Sequence, residues 1–498
     1  MLDSISLNGL EWSVVVVYFL LLTFIFFYSL TQVSLVIHYL KSRKSKPTAP
    51  EMKADWPHVT VQLPVFNEKY VAERLIHAVT KLNYPSDKLE IQVLDDSTDD
   101  TLDITQKVAA AYREKGFDIS VVHRTDRSGF KAGALAKGME VCRGEFIAIF
   151  DADFIPEADF LIKTIPHFQT ENVGVVQTRW EHLNQNYSGL TRLQAFGLDA
   201  HFTVEQGGRN AANYFINFNG TAGVWRKQTI ADAGGWSSDT LTEDLDLSYR
   251  AQLKGWKFIY REDIGSPAEL PAAMNALKNQ QFRWTKGAAE CTRKNLGKVW
   301  RAAHLPLSTK IHALFHLMNS FIFICVIGTA ILSVPMLFIK EKLGQDSIMV
   351  AAGSVFLLSM SFLIWFYWVS YHRMHPNKNF FQFLGTFFLF LSMSMGLSLH
   401  NAIAVFEGYV GRKTPFVRTP KFNIVEKQDG WKGNVYLTST FNSLTLIELA
   451  LAIYFSFAVL QGIRLSDFGL LPFHFLLALG FAIVSWLSAR HSLGGVGV

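Results

Sequence analysis

Two pairs of aspartates follow apolar segments of the sequence, and their carboxylates are suited to binding a metal ion. Asp151 and Asp153 come directly after the apolar run 146–150, and Asp95 and Asp96 follow a second such run. Two carboxylates at the end of a strand can hold a hard divalent cation, which in turn neutralises a diphosphate. The alternatives are an Asx turn at the first pair and capping of the next helix at the second. Both interpretations stay open on spacing alone.

A third acidic pair, Glu243 and Asp244, stands at the start of a predicted helix that opens at 242. A carboxylate held at a helix start can accept the proton of a hydroxyl nucleophile and so act as a general base. The ordinary aspartate pKa of about 3.9 would leave it ionised near neutral pH. The helix dipole by itself also favours acids in the first turn, so the position does not decide between the two roles.

These residues lie in a stretch where apolar strand patterns alternate with helical patterns. The strand patterns are 58–66, 89–97, 117–124 and 144–153. This alternation predicts βαβ units and a parallel sheet. Ligands of such sheets collect beyond the carboxyl ends of the strands, where Asn67 and Glu68 should join the aspartate pairs.

The composition is too apolar for an ordinary soluble enzyme. Of 498 residues, 49% are hydrophobic and 18% are charged, and the mean hydropathy is +0.17. About 20 apolar residues cross a bilayer core as a helix. The candidate spans are 12–40, 311–339, 347–372, 379–406, 444–460 and 468–489. We predict an amino-terminal transmembrane anchor (1–44), a cytoplasmic domain (55–305) and a carboxyl-terminal membrane region (306–498).

The segment 379–406 is a special case because of the charges that follow it. If it crossed the membrane, the basic stretch 411–421 would lie outside, against the positive-inside rule. We therefore predict an interfacial or re-entrant helix over 379–406 and a cytoplasmic loop over 411–425. The alternative is a plain sixth span.

Several function classes are disfavoured. The net charge of +5 resides mainly in short clusters beside predicted spans, such as 41–46, so no nucleic-acid partner is expected. The three cysteines, Cys142, Cys291 and Cys325, have neither disulfide nor metal-site spacing. Neither a GxxxxGK[ST] loop nor a GxGxxG fingerprint is present in the sequence, which disfavours an ATPase or a Rossmann dehydrogenase.

Seven motifs follow one another along the sequence. They are VLDDS (93–97), GFKAGAL (129–135), FDADF (150–154), VVQTRW (175–180), FNGTAGVWR (218–226), TEDLDL (242–247) and QQFRW (280–284). Together these motifs resemble the processive glycosyltransferase family 2, over about residues 60–440. The sequence is similar to bacterial cellulose synthase and looks closest to plant cellulose-synthase-like mannan and glucan synthases. The resemblance implies an α/β GT-A domain, Rossmann-like, inserted between transmembrane α-helices, with a nucleotide-sugar donor and Mg²⁺ or Mn²⁺.

The resemblance also implies residue roles. It assigns the metal to Asp151 and Asp153 and the general base to Asp244. It assigns the donor nucleotide to Asn67, Glu68, Asp95, Asp96, Lys131, Asp151 and Arg283. It assigns the acceptor sugar to Trp284, Glu243 and Gln280. A gating loop that closes over the donor would use Phe416, Thr419 and Lys421, although Arg418 stands where the family has an apolar residue.

Neighbouring Arg283 and Trp284 have a physical explanation within this family. A guanidinium can bind two oxygens of a departing diphosphate, and arginine suits this better than lysine. An indole offers a flat apolar face to the C–H face of a pyranose. The alternative for Trp284 is an aromatic residue of the membrane interface.

We therefore expect an inverting, membrane-embedded glycosyltransferase of the plasma (inner) membrane with its catalytic domain in the cytoplasm. It would use GDP-mannose or UDP-glucose to elongate a β-linked polysaccharide, coupled to translocation. Membrane lipids and the growing glycan would be its partners. The sequence does not identify any export subunits. The short segment after the last span leaves no room for a cyclic-dinucleotide receptor domain. The alternatives are transfer of a single sugar to a lipid and a catalytically silent transporter or scaffold.

Overall fold

The structure of the protein, a computed structural model, describes residues 7–44, 50–52, 55–343, 347–414, 417–426, 428–430, 434–436 and 442–493. Within these residues, seven strands form one sheet in the order β3-β2-β1-β4-β6-β5-β7. The strands are β1 (Val59–Val65), β2 (Leu89–Asp95), β3 (Ile119–His123), β4 (Phe146–Ile149), β5 (Val173–His182), β6 (Gly223–Arg226) and β7 (Lys257–Ala268).

The first four strands are those predicted from the sequence, and they are parallel as predicted. The register of β1 against β2 runs from Val59 opposite Leu89 to Val65 opposite Asp95. The strand β4 lies on the other side of β1, and β3 lies beyond β2. The carboxyl ends of these strands therefore meet at one edge of the sheet.

The carboxyl half of the sheet is mixed. Strand β6 runs antiparallel to both of its neighbours, β4 and β5, and β7 pairs in parallel with β5. Because β6 is antiparallel to both neighbours, β5 runs in the same direction as β4. The carboxyl end of β5 therefore reaches the same edge of the sheet. The four residues of β6 are too few to show a strand pattern in the sequence.

Helices cover both faces of the sheet. Those of the α/β region are α2 (Ala72–Val79), α3 (Thr101–Glu114), α4 (Phe130–Val141), α5 (Phe160–Thr164), α6 (Gly189–Ala200), α7 (Gln206–Ala211), α8 (Lys227–Asp232), α9 (Glu243–Leu253) and α10 (Met274–Arg301). Short 3₁₀ segments lie at Ser86–Lys88 and Ile165–Gln169, and a π-helical turn at His201–Glu205 joins α6 to α7.

Alternation along the strands divides the core into two layers. On one face, Val61 and Val93 are buried in the same cluster as Leu75 of α2. On the other face, Ile147 packs in a cluster with Leu135 of α4. Because both faces are covered, the strands are apolar along nearly their whole length.

Five helices are long and apolar enough to cross a membrane, by length and composition within the described residues. These candidate spans are Gly9–Ser42, Leu307–Lys340, Gly353–Met374, Leu444–Arg464 and Leu471–Ser492. They lie on α1 (Gly9–Ser42), α11 (Leu307–Leu317) with α12 (Phe321–Leu343), α13 (Ser347–Met374), α16 (Leu444–Arg464) and α17 (Leu471–Leu493). The 3₁₀ turn Met318–Ser320 joins α11 to α12.

The segment 379–406 forms two helices, although one was predicted. The helices α14 (Phe380–Gly396) and α15 (Ser398–Val410) meet at Leu397 with a bend of 50°. Sharp bends in helices often occur where a glycine and a serine are close together. Here Gly396 and Ser398 stand on either side of the bend at Leu397. Gly396 also lies against the backbone of Gly480, where a Cβ would come within 2.3 Å of a carbonyl oxygen. Whether the pair crosses the membrane stays a prediction.

Polar contacts fix α10 to α15 and to the candidate span α16. The Lys278 ammonium lies 2.7 and 2.8 Å from the two carboxylate oxygens of Glu448 on α16, and both side chains are buried. The backbone carbonyl of the same lysine accepts a hydrogen bond from His400 of α15. A buried ion pair tolerates little displacement, so α10 is held in place against the candidate spans.

Candidate active site

A cavity opens at the edge of the sheet where the strands β1, β2, β4 and β5 end. Most of the residues that the sequence analysis assigned to a site line this cavity. They are Glu68, Asp96, Lys131, Asp151, Asp153, Glu243, Asp244, Gln280, Arg283, Trp284, Thr419 and Lys421. They come from seven separate parts of the chain, so the fold concentrates acidic and cationic groups around one space.

Two of the assigned residues that the structure describes, Asp95 and Asn67, are not among those lining the cavity. The Asp95 side chain is fully buried, and its oxygens accept hydrogen bonds from the Ser97 N–H at 2.7 Å and the Thr105 hydroxyl at 2.7 Å. It therefore fastens the start of α3, and we remove it from the site. Asn67 likewise ties its loop to Thr98, whose N–H it accepts at 2.8 Å. Phe416 lies outside the described residues.

Asp96, unlike Asp95, lines the cavity. Consecutive residues at a strand end point to opposite sides, so burial of Asp95 turns its neighbour outward. Both Asp96 oxygens accept from the guanidinium of Arg124, at 2.8 and 2.5 Å. This two-pronged pair holds the carboxylate in one orientation.

The two candidate metal ligands each face a lysine. Asp151 Oδ1 lies 2.5 Å from Lys131 Nζ, and Asp153 Oδ2 lies 2.5 Å from Lys421 Nζ. Lys131 also donates to the Gly220 carbonyl at 2.9 Å, which sets its position. The lysines supply the positive charge that two neighbouring carboxylates need.

The carboxylates fit a divalent cation such as Mg²⁺ or Mn²⁺. No group of three or more His, Cys, Asp or Glu side chains suited to a metal occurs among the residues that the structure describes. Mg²⁺ is commonly held by one or two carboxylates together with substrate phosphates, so a complete protein cage is not required. The donor atoms of Asp151 and Asp153 are all hard oxygens, which suits these cations.

The acidic pair Glu243 and Asp244 forms the first turn of α9, and α10 holds it in place. Gly287 of α10 lies so close to Thr242 that a Cβ would come within 2.9 Å of its backbone nitrogen. On the other side, Gly220 has a φ of 76°, and a Cβ there would lie 3.1 Å from Asp244 Oδ2. Gly287 therefore holds the start of α9 from one side, and Gly220 leaves the Asp244 carboxylate little freedom on the other.

The pKa of Asp244 differs from the ordinary value expected from the sequence. Burial, together with the neighbouring Glu243 carboxylate, raises the pKa of Asp244 to about 7. Burial also raises the pKa of Glu243, while Lys131 opposes the change. A carboxylate with a pKa near neutrality is better matched to proton transfer than one with a pKa of about 3.9.

Helix α10 presents Gln280, Arg283 and Trp284 on one face, because residues three and four apart lie side by side on a helix. All three line the cavity. Arg283 Nη2 donates to the Thr419 hydroxyl at 2.9 Å. The Trp284 ring centre lies 6.4 Å from that of Trp180.

The segment 417–426 lies across the cavity and brings Thr419 and Lys421 into it. Two backbone N–H groups, of Phe422 and Asn423, donate to the Glu269 carboxylate at 2.8 and 3.0 Å. Arg418, which departs from the family pattern, donates to the carbonyl of Phe66 at 2.8 Å. Its Nε also lies 3.4 Å from the Glu68 carboxylate. This arginine thus joins the segment to the loop after β1.

The fold is similar to that of a solved glycosyltransferase. The mannosyltransferase PcManGT from Pyrobaculum calidifontis, in complex with GDP-Man and Mn²⁺, superposes with a TM-score of 0.54 at 18% identity. The match covers 80% of this chain and all of that one. The GT-A fold predicted from the sequence is confirmed.

Sequence relatives decide the family. Residues 57–287 match the profile described as "Glycosyltransferase like family 2". The glucomannan 4-beta-mannosyltransferase 7 of Arabidopsis thaliana is 38% identical over 371 residues, 67% of this chain and 66% of the relative. The probable glucomannan 4-beta-mannosyltransferase 4 of Oryza sativa subsp. japonica is 43% identical over 296 residues, 57% of this chain and 54% of the relative. This chain belongs to glycosyltransferase family 2. Its cellulose-synthase-like character is confirmed, and it spans about half to two thirds of the length of these relatives.

Several residues of the site in this family 2 chain were not assigned from the sequence. Arg124 holds Asp96, and Glu269 fastens the segment 417–426. Trp180 and His182 line the cavity beside Trp284. The motif VVQTRW contains Trp180 and could have identified that residue. The isolated residues Arg124, His182 and Glu269 belong to no such motif.

Proposed function

We propose that this chain is a membrane-embedded, inverting hexosyltransferase that elongates a β-linked polysaccharide from GDP-mannose or UDP-glucose. The observation that carries the proposal is the convergence of Asp151, Asp153, Asp244 and Arg283 on one cavity beside Trp284. Relatives described as glucomannan 4-beta-mannosyltransferases favour GDP-mannose as the donor. We also propose that residues 55–305 are the cytoplasmic catalytic domain and that the chain resides in the plasma (inner) membrane.

The chemistry we propose is a single displacement at the anomeric carbon. Asp244 accepts the proton of an acceptor hydroxyl while that oxygen bonds to the anomeric carbon of the donor. The bond from the anomeric carbon to the diphosphate oxygen breaks on the opposite face, and the configuration inverts. The departing diphosphate takes the bonding electrons, and the Arg283 guanidinium donates hydrogen bonds to its oxygens.

The other residues of the cavity hold the two substrates. We propose that Glu68, Asp96 and Lys131 bind the nucleotide. Trp284, Gln280 and Glu243 then bind the acceptor sugar. When bound to Asp151 and Asp153, a divalent cation supplies positive charge to the diphosphate. Thr419 and Lys421 complete the cover over the donor.

The proposal is tested by reconstituting the purified protein in lipid vesicles with Mn²⁺ and labelled GDP-mannose or UDP-glucose. We expect a polymer that a β-1,4-specific mannanase or glucanase degrades, and we expect EDTA to abolish its formation. Products with one sugar on a lipid would support single transfer instead. Absence of any donor turnover, including hydrolysis, would overturn the enzymatic proposal.

The raised pKa of Asp244 predicts a pH dependence. A protonated carboxylate cannot accept a proton, so kcat/KM should fall about tenfold per pH unit as the pH drops below about 7. The measurement is kcat/KM for the donor between about pH 5.5 and 8.5. Burial also raises the pKa of Glu68 to about 7. The variant Glu68→Gln is therefore the control, and its residual activity should keep the same midpoint. A flat profile would contradict the role of Asp244.

A further inference from the structure

The cavity continues past Trp284 to a second indole. Trp180 stands near the carboxyl end of β5, with its ring plane tilted 54° from that of Trp284. Phe202 stacks on Trp180 at 4.9 Å, and the Phe154 ring meets it edge-on at 5.1 Å. These neighbours fix the ring, which lines the cavity and is half-buried. A fixed indole facing a cavity offers a flat surface on which the apolar face of a sugar ring can lie.

A buried polar pair lies beside this indole. His182 is two residues further along β5 and therefore lies on the same side of the strand as Trp180. Its side chain is only 4% exposed, and Nε2 donates to Asp199 Oδ1 of α6 at 3.1 Å. His182 lines the cavity, so its imidazole places a polar group beside the indole.

The position of this group within the sheet separates it from the nucleotide-binding residues. Asp96 follows β2, whereas Trp180 and His182 lie on β5, four places away in the strand order. Four strand spacings amount to about 19 Å, too far for both ends to contact one nucleotide. The Trp180 ring centre lies 6.4 Å from that of Trp284, so this group lies on the acceptor side of the proposed chemistry.

This end of the cavity also lies beside the membrane helices. Asp199 belongs to α6, whose Phe196 stacks on Tyr367 of α13 at 5.3 Å with 9° between the ring planes. Phe196 also contacts Phe390 of α14. A glycan that passes from Trp284 towards the membrane region would therefore run along α6.

We infer that Trp180 and the His182–Asp199 pair form a second sugar-binding position, for the acceptor residue next to the one held at Trp284. The inference rests on the proposed function, since it names the residues that bind the acceptor chain. The apolar face of this second pyranose lies on Trp180, and one of its hydroxyls forms a hydrogen bond with the His182 imidazole. Asp199 is a positioning residue, because it acts by orienting the imidazole.

The test compares acceptors of one and two sugars. If GDP-mannose is the donor, the probes are mannose and β-1,4-linked mannobiose, and if UDP-glucose is the donor they are glucose and cellobiose. We expect Trp180→Phe, His182→Ala and Asp199→Asn each to raise KM for the disaccharide about 3- to 10-fold. The KM for the monosaccharide and the rate of donor hydrolysis should change less than about twofold. The variant Trp236→Phe is the control, because Trp236 packs against the core but does not line the cavity.

The two proposals fail in different ways. An equal rise in KM for both acceptors, or no rise in any of the three variants, would overturn the second position while donor turnover continues. A merely structural link between β5 and α6 would produce the equal rise, because it would disturb Trp284 as well. No donor turnover by the parental protein would overturn the proposed function and the second position together.

Discussion

Replacing Asp244 with asparagine is expected to lower the rate of sugar transfer by about 10²- to 10⁴-fold, the usual contribution of a general base. Asparagine keeps the shape of the side chain but has no site of sufficient basicity for the proton. Donor affinity should change little, because we assign the base to the acceptor hydroxyl rather than to the nucleotide. The measurement is kcat for polymer formation together with the Kd of the donor.

The same substitution should leave the protein at least as stable as the parent. The pKa of Asp244 is raised in the folded protein, so above about pH 7 its ionised form is less favourable there than in the unfolded chain. Asparagine removes that buried charge, and Tm at pH 8 should not fall. A loss of activity without a loss of stability would separate catalysis from folding.

A matched control lies just before the same helix. Asp239 is largely exposed, and its carboxylate is 2.7 Å from the Lys294 ammonium. An exposed ion pair of this kind contributes little, so Asp239→Asn should retain parental activity. Parental transfer rates in Asp244→Asn would end its assignment as the base.

The cluster of acidic residues at the carboxyl ends of the strands was predictable, because the sequence pattern of the first four strands is strong. Alternating strand and helix patterns place Glu68, Asp96 and Asp151 at one edge, whatever the details of the loops. The sequence did not choose between Asp95 and Asp96. Adjacent residues at a strand end face opposite sides, and only the contacts of Asp95 with the start of α3 show which side is which.

Residues that reach the cavity from distant parts of the chain were harder to predict. Asp199 meets His182 through the packing of α6 against β5, and Glu269 meets Phe422 across more than 150 positions of sequence. Neither contact leaves a local pattern. The raised pKa of Asp244 has the same origin, since burial is a property of the folded site and not of the motif.

Arg283→Ala is expected to reduce kcat by about 10²- to 10³-fold, the loss typical when a donor to a developing negative charge is removed. The reason is that the guanidinium stabilises charge that grows on the diphosphate as the sugar leaves. Arg283→Lys keeps one positive charge but loses the planar fork, so it should fall between the parent and the alanine variant. The measurements are kcat and the donor Kd, which should change much less than kcat.

A competing explanation is that Arg283 merely anchors the segment 417–426 through its hydrogen bond to Thr419. Thr419→Val removes that bond and keeps the side-chain shape, so it isolates the anchoring role. If charge stabilisation dominates, Thr419→Val should lower kcat far less than Arg283→Ala. The exposed Arg293, on the same helix, donates to the Gly408 carbonyl at 3.3 Å and does not line the cavity, and Arg293→Lys should be silent. Equal losses in Thr419→Val and Arg283→Ala would instead make Arg283 an anchor of the segment and would leave the diphosphate to the lysines and the cation.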